Sequence, residues 1–185
     1  MVPRLKEKYK KEIIPQMKEK FKYKNIMSVP KIDKVVINMG VGRAVTDKAE
    51  LDNAVKELSL ITGQKPAITK SRKSIAGFKI RDNVPIGCRV TLRNVFMYEF
   101  LDRLLNIAIP RIRDFRGLPI NSFDKRGNYN FGIKDQSIFP EINPDTIKTT
   151  QGMNITVVTT SETDDEAVHM LELFGFPFKK KKDEN

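Results

Sequence analysis

Six cations and no acid lie between Gly63 and Arg81, in the stretch GQKPAITKSRKSIAGFKIR. Lys65, Lys70, Arg72, Lys73, Lys79 and Arg81 are groups that neutralise phosphate oxygens, with Ile68, Ile75, Phe78 and Ile80 interleaved among them. Groups that make and break bonds are scarce. The chain has one histidine, His169, and one cysteine, Cys88, too few for a zinc set, and no Cys–His pair is expected of them. Cys88 falls on the apolar side of a strand pattern, and His169 lies within an apolar helix pattern. Asp164, Asp165 and Glu166 read as acids at a helix start rather than as metal ligands. These residues predict no metal, no cofactor, no small-molecule substrate and no enzyme.

The overall charge of +11 is unevenly spread: residues 1–34 and residues 63–93 each carry +7. Two basic blocks are the footprint expected for a phosphate backbone. In the first block Lys alternates with Glu, which also suits an ordinary solvated helix surface. No apolar run has the ~18–20 residues of a membrane span, and the N-terminus lacks the apolar core of a secretory signal. With a single cysteine, a reducing, cytoplasmic setting is expected and no membrane.

The elements that must position these cations follow from periodicity. Leu5, Tyr9, Ile13, Met17 and Phe21 recur every fourth residue and predict a helix over 3–23, kinked or divided at Pro15. KVVINM predicts a strand running into a tight turn that needs Gly40 and Gly42. Asp47 and Glu50 have capping-box spacing for a second helix that Gly63 ends. PAITK is a short strand. In IGCRVTLR, alternation sends Ile86, Cys88, Val90 and Leu92 to one face and Arg89, Thr91 and Arg93 to the other. Asn94 is placed to cap a third helix, Val95–Ile109. YNFGI and MNITVVTT read as strands, and SETDDEAVHMLELFG as the last helix.

The order predicts an α+β fold: a two-layer domain whose mainly antiparallel sheet packs helices on one face and leaves an open basic face. One RNA-binding domain is expected over residues 1–178, with a disordered tail at 179–185. The connection Ser71–Pro85, about fifteen residues, exceeds most loops in compact domains and reads as an RNA-embracing loop. NMGVGRAV resembles a dinucleotide fingerprint but has Val45 at the third glycine position, which argues against a nucleotide site. KRGNYNFGI lacks the full aromatic pattern of an RNA-recognition strand, so Tyr129 and Phe131 are expected to pack against the sheet. Charge and spacing alone reach as far as an RNA-binding α+β domain, a description that a free-standing RNA-binding regulator or chaperone would also satisfy.

Several collinear motifs narrow this further. LSLITGQKPAITKSRKS, INMGVG, AGFKIR, PIGCRVTLR, IPRIRDFRGL, SFDKRGNYNFGI and IFPEI resemble the bacterial-type family of large ribosomal subunit protein five, over essentially the whole chain. The resemblance implies a ribosomal protein that binds 5S rRNA and large-subunit rRNA in the central protuberance. It implies 5S rRNA contacts at Asn38, Gly40, Gly42, Gln64 and Thr91, with Lys65, Lys70, Arg89 and Arg93 as cationic neighbours. It implies that Arg72, Lys73, Ser74, Gly77, Phe78 and Lys79 approach P-site tRNA. It further implies an intersubunit bridge to a small-subunit head protein, for which Arg111, Arg113 and Arg116 are the candidates. The chain departs from the family pattern at Asn94, where glycine is expected, at Tyr98, where Trp is more usual, and in the KKKKDEN extension.

Overall fold

The computed structural model describes residues 2–147 and 149–179. Beyond Lys179, the expected disordered tail lies outside the described residues. Pro15 does not divide the N-terminal helix. Instead α1 (Arg4–Lys8), a π-helical stretch (Tyr9–Ile13) and α2 (Ile14–Phe21) form one unbroken run. Proline has no N–H for the residue one turn back, and the wide turn ahead of it puts Pro15 at the opening of α2, where that donor is not missed. The run ends at Lys22, in the left-handed conformation.

Five strands form: β1 (Ile32–Gly40), β2 (Ala67–Lys70), β3 (Pro85–Leu92), β4 (Tyr129–Ile133) and β5 (Met153–Thr159). They form one antiparallel sheet in the order β2-β3-β1-β5-β4, which makes the fold α+β. The intervening helices are α3 (Lys48–Thr62), α4 (Asn94–Arg103) and α5 (Asp164–Phe174). By its contacts the chain divides into two compact units.

The first unit comprises Met1–Val35, Arg93–Phe131 and Thr156–Asn185. Its core joins Leu5, Ile13 and Met17 of the N-terminal run to Met97, Phe100 and Leu101 of α4 and Met170 and Leu171 of α5, all buried. The Tyr9 ring stacks on Phe174 at 5.9 Å, and Tyr98 meets Phe174 at a tilt. Asn94 is not the cap of α4. It makes no capping bond, the cap position falls to Arg93, and Asn94 itself adopts φ +49. That is the conformation a glycine would take most easily, and Asn is among the few residues that tolerate it. Thr163 caps α5, Asp164, Asp165 and Glu166 occupy its first turn, and Glu166 accepts the Glu162 N–H there at 3.2 Å, while Asp164 accepts the Gly127 N–H at 2.9 Å.

The second unit comprises Val36–Leu92 and Gly132–Ile155. Asp47 caps α3 through the Ala49 N–H at 2.9 Å, and Gly63 stops it at φ +66. Leu51, Leu58 and Ile61 of α3 are buried, as are Ile37, Met39, Cys88, Val90 and Leu92 of the strands. Burial pushes the Cys88 thiol up to about 11, so it packs as an inert apolar group.

Candidate RNA interface

Within the second unit, the strand residues that alternate with this core are polar or bare apart from half-buried Val36. Arg89 is exposed and Thr91 half-buried on β3; Asn38 is half-buried and Gly40 exposed on β1. The β2–β3 register sets Ala67 against Arg89 and Thr69 against Gly87, which continues the same face onto β2. A slip of register between Thr69 and Lys70 then sets exposed Lys70 against Pro85.

Gly40 and Gly42 play a different part from the one expected. Neither has positive φ, and a Cβ on either would meet nothing within 4 Å. The turn does not require glycine. The consequence of glycine here is a stripped backbone at the end of β1, which a ligand can approach closely. The Val41 N–H bonds Ile86 O at 2.9 Å and carries the β1–β3 pairing one residue beyond the strand. Gly87 is the glycine that geometry demands, because β1 and Thr69 crowd its α-carbon.

Gln64 and Lys65 leave α3 at its left-handed stop, both exposed. The Thr62 hydroxyl fixes that exit: it donates to Leu58 O at 2.7 Å and accepts the Gln64 N–H at 3.3 Å. The main chain of Gln64 is thereby fixed, and its exposed carboxamide carries a donor and an acceptor at the surface.

The long basic connection is ordered from its base to its tip. Ser71 closes the base: its hydroxyl donates to Arg81 O at 2.6 Å and accepts the Val84 N–H at 3.0 Å. Its main chain adds bonds to Val84 O at 2.9 Å and from the Asn83 N–H at 3.2 Å. Farther out, Ile75 and Ile80 pair as a small antiparallel bridge around a 3-10 turn, Ala76–Phe78. Lys79 supplies the left-handed residue at φ +54, while Gly77 keeps a negative φ. Phe78 is 71% exposed at this tip, and Arg72, Lys73 and Lys79 of the same loop are exposed as well. Ser74 has an internal duty, accepting the Asp82 N–H at 3.0 Å.

The first unit carries the remaining candidates. Arg93 is exposed but paired, its Nη1 lying 3.2 Å from Asp33 Oδ2. Any phosphate that takes this guanidinium must compete with Asp33. Arg111, Arg113 and Arg116 are exposed, with Arg113 4.0 Å from Asp114. Tyr129 is fully buried and Phe131 nearly so, which removes both from base stacking. His169 sits 3.7 Å from Glu172 and tilts against the Phe21 ring.

The sequence pattern did not single out a polar cluster of the second unit built on Gln136, which is completely buried. Its Nε2 donates to Thr149 O at 2.9 Å, and its Oε1 accepts the Gln151 N–H at 2.6 Å. Thr149 in turn donates its hydroxyl to Glu50 Oε2 at 2.6 Å. Gln151 reaches the end of β1, giving its Nε2–H to Gly40 O at 2.8 Å. Gln136, Thr149 and Gln151 lie outside the strands and α-helices, where no periodicity announces them.

Comparison with known proteins gives a concordant result. Residues 25–81 match the family model described as ribosomal protein L5, and residues 85–178 match that of the ribosomal L5P family C-terminus. The large ribosomal subunit protein uL5 of Clostridium tetani is 59% identical over 178 residues, covering 96% of this chain and 99% of that protein. The same protein from Neisseria meningitidis is 57% identical over 176 residues, covering 95% of this chain and 98% of its own. That of Clostridium acetobutylicum is 57% identical over 178 residues, covering 96% and 99%.

Proposed function

From the premise that this chain belongs to the ribosomal protein L5 family, and is a non-enzymatic structural constituent of the large subunit of the cytoplasmic ribosome, we propose that it binds 5S rRNA through the open face of its second unit. The observation that carries this reading is the bare, amide- and hydroxyl-bearing surface of Asn38, Gly40, Gly42 and Thr91, flanked by exposed Gln64, Lys65, Lys70 and Arg89. Asn and Gln carboxamides combine donor and acceptor and can read base edges or 2′-hydroxyls, whereas the cations neutralise phosphates. Arg93, in the first unit, is a further candidate cation for the 5S rRNA, exchanging Asp33 for a phosphate. In this role the protein helps attach 5S rRNA in the central protuberance.

The Ser71–Arg81 loop contacts P-site tRNA. Its exposed Phe78 supports a stacking contact, and Arg72, Lys73 and Lys79 supply charge beside it. Arg111, Arg113 and Arg116, exposed together in one connector, meet a small-subunit head protein across the intersubunit bridge.

Binding of 5S rRNA against an unrelated RNA of equal length, measured over a range of salt, tests the central claim. Gln64→Ala and Thr91→Ala each weaken 5S binding by about 1–3 kcal/mol and leave the unrelated RNA unaffected. Lys70→Ala weakens both RNAs and lowers the salt slope by about one unit or less. Equal losses on both RNAs for all three variants would refute a specific site.

A further inference from the structure

Gln151 is held by the protein at both its main chain and its side chain. Its N–H donates to the buried Gln136 carboxamide at 2.6 Å, and its Nε2 donates to Gly40 O at 2.8 Å. The same Nε2 lies 3.5 Å from Gly152 O. Gln136 cannot swing away, because it is buried and its own Nε2 is engaged with Thr149 O. Thr149 is anchored in turn to Glu50 of α3. Both N–H directions of the Gln151 amide are therefore turned to the protein. The other corner of the same planar group, the oxygen Oε1, has no hydrogen-bond partner among the described residues.

This oxygen stands beside the stripped backbone of Gly40, on a residue that is only half-buried. A free glutamine side chain would lose much rotamer freedom on binding a ligand, but this one has already lost it in the folded protein. Its remaining capacity is that of an acceptor only. Phosphate oxygens are acceptors as well and cannot bond to it. A ribose 2′-hydroxyl can, as can an amino or imino N–H on a base edge.

We propose that Gln151 is a further RNA-reading residue, one that accepts a hydrogen bond from a 2′-hydroxyl or base N–H of the RNA bound at the Gly40–Gly42 turn, with Gln136 as its positioning residue. The proposal rests on the 5S rRNA reading of this face. Gln151 differs from Asn38 and Gln64, which offer donor and acceptor together, in discriminating against phosphate. It supplies a contact of fixed register beside a turn that has no side chains of its own at Gly40 and Gly42.

The full-length protein and its Gln151→Met variant are compared on 5S rRNA across a salt series. Ribose acylation and base-specific modification of the bound RNA are read nucleotide by nucleotide. The variant binds about three- to tenfold more weakly, the size of one lost neutral hydrogen bond, with an unchanged salt slope. One nucleotide gains reactivity while the protections that depend on Thr91 persist. A gain at the ribose identifies a 2′-hydroxyl donor, and a gain at the base identifies an N–H donor. Unchanged affinity and footprint overturn the proposal. A salt slope lower by a unit overturns it in favour of phosphate, and uniform fading of all protections reduces Gln151 to a support for the turn. Should the parent protein itself fail to prefer 5S rRNA, the reading of the face falls, and this inference falls with it.

Discussion

A Cβ placed on Gly87 would stand 2.7 Å from the carbonyl oxygen of Met39 and 3.0 Å from the Thr69 hydroxyl. The spacing of β1 from β3 in the second unit thus depends on a hydrogen atom where any other residue carries carbon. Asn38 precedes that carbonyl, and Thr91 lies farther along β3 on the face shared with Gly87. Gly87→Ala should cost about 1–3 kcal/mol, because backbone must move to admit the methyl group. Thermal or urea unfolding checks this, and a variant as stable as its parent contradicts the close approach.

Asn94 holds φ +49 at the start of α4 without a capping bond. Asn94→Val should destabilise the protein by about 1–2 kcal/mol, since a β-branched residue is strained in that region. Asn94→Gly should leave stability within about 0.5 kcal/mol, the looser unfolded chain offsetting the relief. Equal losses for both variants, measured by denaturant unfolding, would mean that side-chain contacts rather than backbone conformation decide this position.

Asp33 occupies the Arg93 guanidinium at the surface. Asp33→Asn should change stability by less than about 1 kcal/mol, as exposed ion pairs do. It should also tighten RNA binding and steepen the salt slope by up to about one unit, because Arg93 no longer exchanges partners. An unchanged slope removes Arg93 from the RNA face.

The loop and the sheet face should separate functionally. Lys73→Ala, Lys79→Ala and Phe78→Ala alter exposed tip residues, so 5S rRNA affinity and melting temperature should stay close to those of the parent. Binding of P-site tRNA to reconstituted large subunits should weaken for each variant, most for Phe78→Ala, where about 1–3 kcal/mol of base stacking is removed. A large loss of 5S binding would overturn that division.

Much of this arrangement is legible in the residues themselves. Alternation along IGCRVTLR separates Cys88, Val90 and Leu92 from Arg89 and Thr91, and the structure divides them in the same way. Asp47 and Gly63 mark the ends of α3 because capping and left-handed stops are local events. Three features escape local reading. Pro15 is absorbed by the π-helical stretch before it, a choice made by the buried residues on either side. Gly40 and Gly42 look like turn-makers, yet only the backbone angles reveal that the turn does not need them. The Gln151–Gly40 and Thr149–Glu50 bonds join residues 111 and 99 positions apart, a pairing that local periodicity does not encode.

Ser71 has one more consequence. Its hydroxyl and main chain knot the two ends of the basic loop together at Arg81, Asn83 and Val84, before the chain enters β3. Four hydrogen bonds on this one residue therefore act as a drawstring, closing the mouth of the loop before β3 begins. The chain that carries Phe78 is gathered off from the strand that carries Thr91 by a single serine.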